Sequence, residues 1–296
     1  TIALPHDWCN YGAVIEGFKA RYPGIEVNEL NPNGSSADEL EAVRANMNNA
    51  GPQAPDVLDV GLSFGPAAAE EGLLAPYKVA TWDTIPDAAK AEDGAWYGDY
   101  YGVMSFAVNT DLVDPVPQTF EDLLKPEYAG MVALAGDPRT ANNAAMAVMG
   151  AGIARGAAPG AATAEAGLQF FQELNEAGNF VPVDGSTGSF AQGTTPILID
   201  WDYNNLSRRD ELAGNPPVEV VVPTDAAVAG TYVQAISAYA PHPNAAKLWM
   251  EYIYSDEGQL HWLSGYCHPI RFNEMAERGV LPQEMLDNLP PAEGYA

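Results

Sequence analysis

Basic side chains are scarce in this chain: 13 Lys and Arg stand against 40 Asp and Glu, a formal net charge of −27. A field of that sign repels phosphodiester backbones and anionic lipid headgroups, so nucleic acid and an acidic membrane surface are poor candidate partners, and no nucleic acid is expected. The charge would favour a cationic ligand, but a solvated acidic surface is the simpler account of it. Cysteine is limited to Cys9 and Cys267, near opposite ends of the chain, with no C-x-x-C spacing. The four histidines, His6, His242, His261 and His268, are scattered. Local spacing therefore supports no zinc site, and neither a metal nor a cofactor is expected. Long apolar runs are also missing. The longest, over 144–154, has 11 residues, two of them glycine. A membrane span needs about 20 apolar residues, so this run is expected to be a buried helix of a soluble chain. No basic and apolar leader stands at Thr1, where the chain begins directly on Ile2-Ala3-Leu4. That start fits a cytoplasmic protein or an exported one whose signal has been removed.

What is present is a chain that can fold. With 296 residues, 47% of them apolar, it can bury one large core or two smaller ones, and its 28 Gly and 24 Pro fall short of the level that marks disorder. Short apolar strand signals alternate with helical ones, which points to an α/β fold with largely parallel sheets. A strand is expected over 2–4, then a helix with Val14, Ile15, Phe18 and Tyr22 at helical spacing. Another strand over 25–30 and a turn at 31–34 follow. Ser36 and Glu39 read as a capping box that opens a helix with Leu40, Val43 and Met47 inward. Further strands are expected over 57–60, 131–135, 195–201, 218–222 and 233–239. Helices are expected over 142–155, around Leu168, Phe171 and Leu174 up to Gly178, and through most of the C-terminal region, where Leu248, Trp249, Tyr252 and Ile253 share a face. The alternation comes in two blocks with no disordered linker between them, as two lobes joined by more than one crossing strand would require.

Four segments carry a resemblance. Residues 117–134, PQTFEDLLKPEYAGMVAL, and 240–259, APHPNAAKLWMEYIYSDEGQ, resemble the lobe-crossing segment and the C-terminal helix signature of periplasmic binding proteins. The members in question serve ATP-driven importers of iron, polyamines, thiamine and aminophosphonates. Residues 69–77, AEEGLLAPY, and 96–109, WYGDYYGVMSFAVN, are similar to the family's turn after the third strand and to its segment leading into the hinge. The resemblance implies a two-lobed type II periplasmic-binding-protein fold, each lobe a mostly parallel sheet flanked by helices and joined by crossing hinge strands. Lobe 1 would hold residues 1–106 and 231–296, lobe 2 residues 107–230, with the ligand cleft between them. It further implies an extracytoplasmic monomer, periplasmic or lipid-anchored outside the cell membrane, that passes a small-molecule solute to the permease of an ABC importer.

In open α/β sheets ligands meet the loops at the carboxyl ends of strands and the amino ends of helices, and those loops supply the candidate residues. Trp8, Asn10 and Tyr11 lie between the first strand and first helix. Ser35 and Ser36 precede the second helix; if Ser36 is the cap, Ser35 is left for ligand. Ser63 and Phe64 follow the third strand. Thr140 and Asn142 open the apolar helix of lobe 2, one for ligand and one for capping. The run Asp200, Trp201, Asp202, Tyr203 ends a very apolar strand and alternates acid with aromatic, the chemistry that holds an ammonium. Tyr101 and Tyr232 stand near the two crossings. An organic amine or aminophosphonate is the expected solute, with ferric ion or a sugar phosphate as alternative. Ferric members carry adjacent tyrosines in the loop that resembles residues 200–205. Here Tyr203 stands beside Asn204 instead, so His6, Asp7 and Tyr203 alone keep iron open.

Gly61-Leu62-Ser63-Phe64-Gly65 also matches the nucleophile elbow of serine hydrolases, and Asp200 or Asp202 followed by His268 would complete a triad in hydrolase order. No HGGG-like oxyanion segment accompanies it, and the resemblance already accounts for the segment as a cleft loop, so no enzyme is expected. Finally, the resemblance brings the segment around Cys267 back to lobe 1 near Cys9. An exported compartment would let the two form a disulfide.

Overall fold

The computed structural model describes residues 2–3, 8–30, 34–158 and 160–289. Leu4, His6, Asp7 and the turn residues 31–33 lie outside the described residues. Two compact units divide the chain: unit 1 takes the residues up to Tyr101 and from Thr231 onward, and unit 2 runs Gly102–Gly230. The first crossing thus falls at Tyr101–Gly102, a little before the expected break at 106.

Unit 1 is built on β1 (Ile2–Ala3), which pairs in parallel with β2 (Glu29–Leu30) and β3 (Val57–Gly61). The crossovers are α1 (Tyr11–Arg21) and α2 (Ser36–Ala45). Val14, Ile15 and Phe18 of α1, and Leu40 and Val43 of α2, turn inward as their spacing requires, whereas Met47 lies beyond the end of α2 and is exposed. After β3 come α3 (Phe64–Glu70) and β4 (Leu74–Ala75). Leu40, Val43, Leu58, Val60, Ala68 and Val233 then form one core cluster. The longest strand, β5 (Tyr97–Asn109), begins in unit 1 and continues into unit 2.

Unit 2 contains β6 (Val132–Leu134), α4 (Asn142–Ala154), α5 (Ala161–Glu176), α6 (Thr187–Ala191), β7 (Ile197–Trp201), α7 (Asp202–Leu212) and β8 (Val218–Val221). β6 and β7 are parallel, while β5 runs antiparallel to both β7 and β8. The return crossing is β9 (Ala229–Ser237), antiparallel to β3 and β4. The C-terminal region adds α8 (Pro243–Ile253), α9 (Asp256–Ser264), β10 (His268–Pro269, antiparallel to β5), α10 (Phe272–Glu277) and α11 (Gln283–Leu286). The architecture is α/β as expected. Its sheets are mixed rather than mostly parallel, because a strand that crosses between units and the one that returns run against the local βαβ strands. On α8, Trp249, Tyr252 and Ile253 are buried and Leu248 is exposed; on α5, Phe170 and Leu174 face inward and Leu168 outward. Leu248, expected on that shared face, lies one step, ~100°, around α8 from the buried stripe.

Glycines set the separation of α4 and α5. A methyl group at Gly167 would fall on the carbonyl oxygen of Val148, and one at Gly152 on that of Thr163. Helix propensity alone makes Gly→Ala favourable by ~1 kcal/mol in a helix interior, yet overpacking against a fixed backbone costs ~1–3 kcal/mol or more. Gly167→Ala is therefore expected to destabilise by about 2 kcal/mol net. A stabilised variant in urea denaturation would show that the helices can part freely.

Candidate functional site

The loops at the ends of β1 and β3 belong to unit 1. Trp8–Asn10 forms a single 3-10 turn, and Cys9 and Asn10 both hold positive φ (48° and 60°). Non-glycine residues pay for that conformation, so something must fix it. Asn10 Nδ2 donates to His261 O (3.0 Å) and Ser264 Oγ (2.8 Å), and Cys9 is bonded to Cys267, with Cα atoms 5.9 Å apart. The Asn10 side chain is thus committed to α9. Trp8, half-buried, meets Tyr232 edge to face at 5.7 Å, and Tyr232 stacks on Tyr100 at 5.3 Å. Tyr101 stacks on His268 at 4.8 Å.

Tyr11 is a correction to its reading as a ligand contact. It is fully buried, and its hydroxyl lies within a network under the loops. Trp249 Nε1 donates to Gln234 Oε1 (3.1 Å), which turns the amide NH2 of Gln234 toward the Tyr11 oxygen. Tyr11 must then donate onward to Asp59 Oδ2, which also accepts from Tyr100 (3.0 Å). Asp99 Oδ2 lies 3.3 Å from the same Tyr11 hydroxyl, and Glu39 Oε2 accepts from Asp59 N (2.9 Å). Three buried carboxyls thus share one region. Burial first, and then the neighbouring carboxyl of Asp99, pushes Asp59 well above the usual carboxylate range; burial and Asp59 do the same to Glu39. Burial alone lifts Asp99 to about 7 against hydrogen bonds that lower it.

The serines before α2 exchange roles. Ser35, not Ser36, is the cap: its Oγ accepts from Asp38 N, and Asp38 returns the bond to Ser35 N (2.9 Å). Two overlapping Ser-x-x-acid pairs exist, and Ser36 is turned inward to accept from Gly61 N (3.0 Å). Ser35 therefore has capping duty. Ser63 is exposed at the start of α3, and Phe64 packs against the core cluster of unit 1. A cavity of about 650 Å3 in unit 1, lined by Phe18, Val57, His242 and Trp249 among others, lies at the first residue of β3 and not at these loops.

In unit 2 the carboxyl ends of β6 and β7 meet the first turns of α4 and α7. Asp200 ties them together: its Oδ1 accepts from Asn143 (3.0 Å) and Asn204 (3.2 Å), and its Oδ2 faces Arg208 Nη2 at 3.4 Å. Asn143 also donates to Ala135 O (2.6 Å), at the end of β6. Arg208 hydrogen-bonds Asn205 besides. Sequence reasoning missed Asn143, Asn205 and Arg208; the three-residue step from Asn205 to Arg208, which shares a helix face, was the available signal. Neither Thr140 nor Asn142 caps α4. The N-cap is Ala141, with no side-chain cap, and Thr140 Oγ1 sits exposed 3.4 Å from Asp137 O. Arg139 pairs with Asp137 and holds that carboxyl down at about 2.

The acid–aromatic run does not offer itself as an ammonium cradle. Asp200, Trp201, Asp202 and Tyr203 are all at most 3% exposed. Trp201 lies on Gly230 and Tyr203 on Gly102, where even a methyl group would collide with the rings. Asp202 Oδ1 accepts from Val103 N and Tyr203 N (both 2.9 Å). Its Oδ2 is buried without a partner, and burial raises it to about 7. A run that ends a strand covered on both faces stays inside, whatever its charge. As for a triad, Asp200 and Asp202 belong to unit 2, Ser63 and His268 to unit 1, and His268 is buried between Tyr101 and Phe272 with its pKa lowered to about 4 by burial.

Residues 53–290 match the bacterial extracellular solute-binding protein family, and the chain belongs to it. It is the solute-binding component of an ABC transporter, a transport protein and not an enzyme, and the family places it outside the cytoplasm. No described helix is long and apolar enough to cross a membrane. Among solved structures, the periplasmic binding protein AfuA from Actinobacillus pleuropneumoniae, with exogenous fructose-6-phosphate bound, is similar at 22% identity and a TM-score of 0.74, over 92% of this chain and 85% of that one. Iron-bound HitA from Pseudomonas aeruginosa is similar at 19% identity and a TM-score of 0.68, over 91% and 85%. The spermidine/putrescine ABC transporter substrate-binding protein PotD from Streptococcus pneumoniae is similar at 17% identity and a TM-score of 0.66, over 100% and 93%. At these identities the likeness shows the fold. No curated protein matches the chain.

Proposed function

We propose that the chain captures a small organic solute with an anionic head group, an aminophosphonate or a sugar phosphate, for delivery to a membrane permease. The observation that carries this is the start of α4. A 13-residue helix begins there with no side-chain cap, so the positive end of its dipole and its first amides are left without a capping side chain, with exposed Thr140 just before them, an arrangement that suits an anion. Asp200 beneath is answered by Arg208 and does not oppose a negative charge. The amine-first alternative loses support, because a cation–π contact needs an open ring face, whereas the Trp201 ring is fully buried and lies against Gly230. AfuA, of similar fold, was solved with fructose-6-phosphate, which agrees with this ligand class.

Thermal unfolding with 2-aminoethylphosphonate, fructose 6-phosphate, spermidine and ferric ion as separate probes tests the reading. A phosphonate or phosphate present at ~100 times its Kd should add about 2.7 kcal/mol to the folded state. Thr140→Ala should weaken that probe roughly tenfold, the loss of one charge-assisted hydrogen bond. A shift with spermidine or ferric ion alone would overturn the proposal.

A further inference from the structure

The carboxyl cluster of unit 1 has a chemistry that binding of an anion at α4 does not use. Asp59 comes from β3, Asp99 from β5 and Glu39 from α2, and all three are buried at 2% exposure or less. The groups turned toward them are the hydroxyls of Tyr11 on α1 and Tyr100 on β5, with Gln234 on β9 behind Tyr11; the ring hydroxyl of Tyr254, after α8, also feels Asp59 and Asp99. Asp38, the remaining acid near Glu39, adds repulsion. Among the described residues no cation compensates them. Arg271, buried nearby, spends its guanidinium on Thr84 Oγ1 (2.8 Å), Tyr254 O (2.7 Å), Glu274 and Asp256. Asp59 Oδ1 is buried and without a partner, although Oδ2 accepts two hydroxyls. Such a site is stable only if protons stay in it.

The same residues support the candidate binding loops. Tyr11 is the first residue of α1, directly after the Trp8–Asn10 turn. Tyr100 is the ring on which Tyr232 stacks, and Tyr232 in turn meets Trp8. Ser36, the first residue of α2, is tied to Gly61 at the end of β3, two residues beyond Asp59. We propose that Asp59 is the positioning residue for the loops of unit 1, holding Tyr11 and Tyr100 in place only while the buried carboxyl cluster keeps its protons. This rests on the reading of those loops as binding loops, but its test needs no ligand. A carboxyl whose pKa in the folded protein exceeds its unfolded value favours the folded arrangement when protonated. The support therefore fades as pH rises from about 4 through about 7 and beyond, the window set by Asp99. The loops should loosen on the alkaline side, while α4 and α5 in unit 2 hold.

Hydrogen exchange by mass spectrometry, corrected for the intrinsic effect of pH, reads this directly in the ligand-free protein. Between about pH 6 and about pH 8.5, protection of peptides covering 8–14, 35–40 and 230–234 should fall roughly tenfold or more, with α4 and α5 unchanged. Asp59→Asn keeps an acceptor for both hydroxyls but carries no charge, so it should retain the protection and remove its pH dependence. Asp99→Asn should flatten the profile as well and serves if Asp59→Asn folds poorly. Constant loop protection in the natural protein, or the same alkaline loss in both Asn variants, would overturn the proposal. A failure of every solute probe would touch the functional reading and leave this result standing.

Discussion

Reduction of the Cys9–Cys267 bond is expected to cost the protein about 5 kcal/mol of unfolding free energy. The bond closes a loop with a sequence separation of 258, and the chain-entropy cost of such closure, borne by the unfolded state, reaches that size. Both cysteines are buried, so the bond is not fraying at a surface. It also secures a turn whose backbone would otherwise relax: Cys9 and Asn10 hold positive φ, and after reduction the Asn10 amide remains as a hydrogen-bonded tether to α9. Oxidation of this kind belongs to an exported compartment, where the family places the chain. Urea denaturation with and without reductant, and of a Cys9→Ala/Cys267→Ala variant, measures the effect. A loss below about 1 kcal/mol, or two alkylatable thiols in protein freshly made under oxidising conditions, would defeat the expectation.

Much of the scaffold was legible because it rests on periodicity. Val14, Ile15 and Phe18 predict the buried face of α1, and the apolar runs locate β3, β6, β7 and β8, because burial of those side chains dominates the energy of each element. What periodicity misses are choices between near-equal local options. Ser35 with Asp38 and Ser36 with Glu39 offer two capping boxes one residue apart. The outcome turns on the Gly61 amide that Ser36 reaches across the fold, a contact with no local trace. β5 escapes notice as a strand because Asp99 and Ser105 interrupt an otherwise apolar run, and both prove to be buried and hydrogen-bonded. The acids expose the same limit. Composition gives an acidic surface, and for most of the chain that reading serves. Nothing in the order of residues separates Glu39, Asp59, Asp99 and Asp202, which are taken inside, from the acids left in water.

Trp201 shows how that limit changes an expectation about function into one about stability. As an open cation platform, its removal would weaken a bound amine by ~0.5–2 kcal/mol and leave folding nearly untouched. In the structure the ring is fully buried at the end of β7, opposite Met104 of β5, over Gly230 and stacked toward Tyr203 at 6.4 Å. Truncation of a buried tryptophan removes its transfer free energy and leaves a cavity that surrounding chain only partly fills, a cost of about 3–5 kcal/mol. Trp201→Ala is therefore expected to destabilise unit 2 by that amount, and Trp201→Phe by distinctly less because it keeps most of the packing. The neighbouring backbone sharpens the test. Gly230→Ala places a methyl group where the ring lies, so it should harm the natural protein yet be tolerated beside Trp201→Ala, where the space is vacant. Chemical denaturation of the two single variants and the double variant reads this coupling. If Trp201→Ala unfolds like the natural protein and loses affinity for spermidine alone, the ring is a ligand platform and its burial here is not what fixes it in solution.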